Sequence, residues 1–257
     1  MRRPILRILN LGILAATVLT ACWRSPVSSS DRLASLRTAP TPQPTMPIQQ
    51  GPRSTDPQVV QLLTAVSQGY SQMRTLAFTL KGFGIDMKTG KAGTNEVDYA
   101  FESPTKTACK ILNSSDPKTV GTKCVWLGGK QMTVHTKFIG FWVTLPIDTH
   151  DDRAGDLRGF FIDETSIPRT MQTLLDPSNQ IQLLGSSMVD GIPCVMLGIV
   201  SSKSLRGIAR EVFAIDPRRA MLVQREMFDT SNKMVFRITL TNIRINQPLP
   251  SDTFIVK

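Results

Sequence analysis

The chain has 257 residues, 30 Lys and Arg against 20 Asp and Glu, and a formal net charge of +10. With 41% apolar residues it can build a sizeable core, which excludes a disordered polyelectrolyte. The basic residues are scattered rather than gathered into a stripe, which argues against nucleic acid as a partner; the excess suits anionic headgroups or an acidic partner, or is a solvated surface.

At the start, Arg2, Arg3 and Arg7 precede an apolar run, Ile8 to Leu19, that carries no charge and ends in Leu19-Thr20-Ala21-Cys22. A basic start, a short apolar segment and small residues have the layout of an export signal, and the run is short for a transmembrane helix. The ending resembles the bacterial lipoprotein signal. That resemblance implies cleavage after residue 21, with Cys22 as the first mature residue carrying the lipid (palmitate among its acyl groups). Loss of residues 1–21 with their three arginines lowers the net charge from +10 to +7.

Residues 22–53 form the next unit. Six prolines (Pro26, Pro40, Pro42, Pro44, Pro47, Pro52) stand among Ser, Thr and Gln, a composition that cannot bury enough surface to offset its ordering entropy. The segment reads as a disordered tether, reaching about 30 Å as a coil and roughly 90 Å if extended. Residues 54–257 then suit one domain.

Asp56-Pro57 opens a helix, with Asp as cap and Pro in the first turn. Val59, Val60, Leu62, Leu63, Val66, Tyr70 and Met73 continue it at helical spacing. After Thr75 the period becomes two: Leu76, Phe78 and Leu80 point one way, and Val97, Tyr99 and Phe101 alternate up to Ser103-Pro104. Further strands are expected at residues 106–112, 124–127 and 131–135, the last two joined across Gly128-Gly129. A helical stretch near Ile167 to Leu175 precedes strands at 181–184, 195–200, 208–215, 221–228 and 234–246. Crossover helices between successive strands are missing, so the sheet is expected to be antiparallel. A sheet this long must curl, with the helices over its concave face. The expectation is an α+β chain: a curled antiparallel sheet forming a half-open β-barrel with a helical lid, enclosing either a packed core or an apolar cavity.

The order of these features resembles the outer-membrane lipoprotein carrier and receptor superfamily (LolA/LolB-like). The residues that carry the likeness are the helix leading into Thr75-Leu76-Ala77-Phe78-Thr79-Leu80, the strand closing in Phe101-Glu102-Ser103-Pro104, the hairpin Val125-Trp126-Leu127-Gly128-Gly129-Lys130, and a tail with Asp216, Arg225-Glu226, Asn246-Gln247-Pro248-Leu249 and Phe254. The resemblance spans residues 57–257 and implies an unclosed barrel, a helical lid and an acyl-chain cavity. Two features of the carriers are missing: the proline of a late Phe-x-Leu-x-Pro strand and an arginine in the first strand. With Trp23 after the lipidated cysteine, the superfamily's sorting rule implies the periplasmic face of the outer membrane in a Gram-negative host.

Catalytic patterns are absent: there is no Gly-x-Ser-x-Gly, Walker loop or His-Glu-x-x-His, and no cofactor is implied. His135 lies in an expected strand. His150 lies in Asp148-Thr149-His150-Asp151-Asp152, whose spacing is not that of a calcium loop; a solvated loop is the better reading. Cys109 and Cys124 flank a turn-rich stretch, and an exported location permits a disulfide between them, worth about 3 kcal/mol. Cys194 reads as a small buried residue.

The expected cavity lining is Leu76, Phe78, Leu80, Tyr99, Phe101, Val134, Phe213 and Phe228, apolar walls of the kind an acyl chain needs. Phe138, Phe141 and Trp142 flank Gly140 without clean alternation. They line the cavity mouth, meet a partner, or pack under the lid, with packing preferred. Two functions compete: a lipid-anchored envelope protein that holds an acyl lipid or lipoprotein for transport or assembly, and a non-enzymatic regulatory lipoprotein with a filled cavity that binds an envelope protein.

Overall fold

The computed structural model describes residues 56–151, 154–200 and 206–256. The signal, Cys22, Trp23 and the tether fall outside the described residues, as does Asp152. Helix α1 (Pro57–Ser71) begins as expected, with the Asp56 carboxylate accepting a hydrogen bond from the Gln58 N–H at 2.8 Å. It buries Val59, Leu62, Leu63 and Val66. The strands are β1 (Thr75–Ile85), β2 (Ala92–Glu102), β3 (Lys106–Ser114), β4 (Lys123–Trp126), β5 (Gln131–Phe138), β6 (Phe141–Asp148), β7 (Gln180–Val189), β8 (Ile192–Val200), β9 (Ile208–Asp216), β10 (Met221–Asp229) and β11 (Met234–Ile245). Helices α2 (Ile162–Thr165) and α3 (Ile167–Leu175) lie between β6 and β7.

All eleven strands form one antiparallel sheet in the order β6-β5-β4-β3-β2-β1-β11-β10-β9-β8-β7. β1 pairs with β2 on one side and β11 on the other, while β6 and β7 are the two ends and do not pair with each other. The sheet is therefore curled but open, as expected. The principal core joins α1 and α3 to one face of the sheet: Val59, Leu63, Met171 and Leu174 pack with Leu76, Phe101, Leu197, Phe213 and Ile215. That face is the concave one.

Two elements depart from the sequence reading. β6 was not foreseen, because Phe141-Trp142-Val143 does not alternate; as an end strand it accommodates Pro146, whose missing N–H costs no ladder bond on an open edge. The β7–β8 hairpin is also longer than expected. β8 pairs with β9 only over Val195–Ile199, and the rest of the hairpin arches over the convex face. Val189 and Cys194 pack there against Ala214 and Val223, and Asp190 comes within 4.0 Å of Lys81 on β1.

Candidate functional site

Cross-strand register decides which side chains share the concave face. Leu76 stands opposite Phe101, Phe78 opposite Tyr99, and Leu80 opposite Val97. Tyr99 continues across to Cys109, Cys124 and Val134. Phe78 and Tyr99 stack with ring centroids 4.6 Å apart. On the far side of β1 the same face carries Ile238, Arg225, Phe213 and Leu197.

Helices α1 and α3 fill the half of this face nearest the start of β1. Toward the end of β1 the packing opens into an apolar cavity of about 130 Å³. Its walls are Leu80, Val97, Tyr99, Cys109, Ile111, Cys124, Met132, Phe236 and Ile238 from the sheet, with Ala154, Leu157, Phe160 and Ile162 as the cover. The cover is held by local bonds. One Asp156 carboxylate oxygen accepts from the N–H groups of Arg158, Gly159 and Phe160, each at 2.9 Å, and Arg158 donates to the Ile85 carbonyl at 3.1 Å. Gly84 lets this cover approach β1, since a Cβ there would stand 2.7 Å from Leu157 Cβ.

Polar groups reach the site at few places. Arg225 lines the cavity, and its Nε donates to Glu211 Oε2 at 2.6 Å while Nη1 donates to Thr170 Oγ1 on α3 at 3.2 Å. The side chains of Arg225 and Glu211 are 3% and 7% exposed. Burial pushes the Tyr99 phenol well above its ordinary range and the Cys109 thiol up to about 12. Both groups are therefore neutral at any physiological pH, which suits an apolar wall.

Of the residues singled out from sequence, Leu80 and Tyr99 line the cavity, whereas Leu76, Phe78, Phe101, Val134 and Phe213 are buried on the same face without being part of its lining. Phe228 faces the other way: its ring lies under the Arg210 guanidinium, 4.0 Å from centroid to Cζ, and Met227 takes the inward place. Phe141 and Trp142 are not packed under the lid but stand 55% and 47% exposed at the β5–β6 turn, with Phe138 half-buried beside them. Cys109 and Cys124 are direct partners across β3 and β4, and the structure carries them as thiols. Ile111 donates to Thr122, so by alternation Cys109 and Cys124 occupy a hydrogen-bonded site. Cβ atoms at such a site stand about 5.5 Å apart, farther than the roughly 3.8 Å of a relaxed disulfide. Cys194 is buried as expected, on the convex side. The sequence reading did not place Arg225 or Glu211 in the site; each stands next to another charged residue in its strand, Glu226 and Arg210, so the pattern did not show which charge turns inward.

The carboxylates near His150 serve the loop. Asp148 accepts from the His150 N–H at 2.8 Å, and His150 Nε2 meets Asp163 at 2.8 Å. Among the described residues no group of three His, Cys, Asp or Glu is placed to hold a metal ion. A larger concavity of about 510 Å³ lies on the convex face, open and polar, lined by Lys81, Glu96, Asp190, Gln224 and Arg237 among others.

No family model matches the sequence, and no curated protein does. Solved structures resemble it in fold. MucB is 15% identical over 80% of this chain and 65% of its own, with a TM-score of 0.49; it has also been solved from Pseudomonas aeruginosa as a MucA/MucB complex. The Mycobacterium tuberculosis lipoprotein LppX is 16% identical over 77% of this chain and all of its own, with a TM-score of 0.43. A LolA superfamily protein from Nitrosomonas europaea is 8% identical over 76% and 96%, with a TM-score of 0.34. The open, helix-lidded sheet expected of a LolA/LolB-like chain is the architecture that this chain's own strand order and core describe.

Proposed function

We propose that this protein is a lipid-anchored protein of the bacterial cell envelope that holds an acyl chain, from a lipid or a lipoprotein, between its sheet and its helices. The observation that carries the reading is the apolar cavity beneath residues 154–162, whose polar wall groups are few and neutral or paired. At about 130 Å³ it is below the roughly 300–1,000 Å³ of most ligand sites. It accommodates the end of a chain, and a longer stretch enters only as the cover and α3 move away from β1 and Arg225. No covalent step is needed: binding draws on about 0.8 kcal/mol per buried methylene, and transfer follows the difference in affinity between donor and acceptor. Anchoring through Cys22 and residence at the periplasmic face of the outer membrane belong to this reading and rest on the sequence of residues 1–23.

The competing reading, a partner-binding lipoprotein with a filled barrel, draws on how much of the concave face is already packed. Filling the remaining space separates the two. Val97→Phe places a larger side chain in the cavity wall and is expected to weaken uptake of a fluorescent fatty acid at least about tenfold, equivalent to 1.4 kcal/mol, with the fold retained by circular dichroism. Unchanged uptake by that variant would contradict the assignment of this cavity.

A further inference from the structure

Five of the twelve exposed large apolar side chains among the described residues lie at or beside three connections at one end of the barrel. Because the sheet is an antiparallel meander from β1 to β6, the β1–β2, β3–β4 and β5–β6 connections share that end. They lie over about four strand spacings, roughly 19 Å. Met87 is exposed on the first connection, Val120 on the second, and Ile139, Phe141 and Trp142 on the third.

The third connection extends past the neighbouring strand β4. β4 stops pairing with β5 at Lys123 and His135, whereas β5 and β6 continue to Phe138 and Phe141. Ile139 at the tip is 69% exposed. It also has a φ of 40°, next to Gly140 at 91°, in a two-residue turn whose first position favours Asn, Asp or Gly. A β-branched residue is thus kept at a site where folding favours a small polar one. Trp142 lies flat on His135, with ring centroids 5.0 Å apart, so the tip has aromatic surface on both faces of the hairpin.

The most exposed charges on these connections are lysines. Lys88, Lys91, Lys118 and Lys137 are exposed on the same three connections. The two acids on the connections, Asp86 and Asp116, are half-buried and accept from backbone N–H groups of their own turns, at 2.6–2.9 Å and 3.1 Å. Aromatic and branched apolar tips framed by lysines suit the interface of an anionic bilayer, where rings sit at headgroup depth and each lysine strengthens binding about fivefold.

We propose that this rim is a membrane-docking surface of the folded body, with the β5–β6 tip entering the headgroup layer of an anionic bilayer. The rim borders the half of β1 to β3 that carries the apolar cavity, so docking presents the cavity's end of the barrel to lipid. The proposal does not depend on the cavity's occupant.

The test is tryptophan quenching by brominated lipid in the full-length chain with Trp23→Phe, which leaves buried Trp126 as a constant background and Trp142 as the reporter. Vesicles of phosphatidylcholine, with and without phosphatidylglycerol, are compared. The expected result is about twofold quenching in the anionic vesicles only, reversed by salt. Ile139→Asn with Phe141→Ser should abolish it while leaving the fold intact, since Asn suits the turn better than Ile. Equal quenching in both vesicles, no quenching, or quenching that survives the double substitution would overturn the proposal. Fatty-acid uptake measured on the same variants is separate, so loss of one property without the other shows which assignment has failed.

Discussion

Arg225 illustrates how a single side chain ties the sheet to its lid. Its guanidinium bonds to Glu211 within the sheet and to Thr170 on α3, and both charged side chains are out of water. Removing one partner leaves the other charge buried without compensation, so Arg225→Met is expected to cost about 3–5 kcal/mol in urea denaturation. The double variant with Glu211→Leu should recover most of that loss. Titration offers a second test. Burial raises the folded pKa of Cys109 to about 12 and of Tyr70 to about 12, so the native state holds these protons more tightly than the unfolded chain does. Their stabilisation is complete below the unfolded pKa values, near 9 and 10, and is lost as pH rises through the folded ones. The urea midpoint should therefore fall between pH 9 and 12, and Cys109→Ala should flatten the portion just above 9. The sequence exposed Asp56 as a cap and Cys194 as a buried residue, because both follow from local context. It misassigned Phe228 for a non-local reason: the ladder of β10 with β9 shifts between Leu222 and Gln224. Counting inward positions by twos from Leu222 arrives at Phe228, whereas the shift moves Arg225 and Met227 inward.

At the scale of elements, helix α1 and strands β1 to β5 and β8 to β11 were legible from periodicity, since one face of each is buried. The β5–β6 tip was not. Its residues lie beyond the end of β4, with no core to impose alternation, so Phe138 to Trp142 carry a pattern unrelated to packing. The cover over the cavity was equally opaque, because residues 154–161 are held by backbone bonds to Asp156 rather than by a periodic apolar face. Its seat on β1 depends on Gly84. Gly84→Ala would place a methyl group 2.7 Å from Leu157 Cβ, which forces the cover outward and is expected to cost about 1–3 kcal/mol. Hydrogen exchange should show faster exchange at the amides of Arg158, Gly159 and Phe160 in that variant, with β1 to β3 unchanged.

For the whole molecule, the open sheet gives two faces with different uses. The concave face is apolar and covered by helices; the convex face is polar and crossed by the β7–β8 hairpin. The barrel's architecture was legible in the sequence because missing crossover helices leave an antiparallel sheet as the solution. The size of the cavity was not, since it depends on how far α1, α3 and the cover descend into the concave face. Among the described residues no helix is long and apolar enough to cross a membrane. The two holds on lipid proposed for the folded body are the cavity and the rim. The central claim, an acyl chain held beneath the cover, is tested most directly by native mass spectrometry of the full-length chain purified from bacterial membranes without added lipid. The account predicts a bound mass that denaturation releases as an acyl-bearing molecule. A chain that carries no such mass and takes up no fluorescent fatty acid would contradict it.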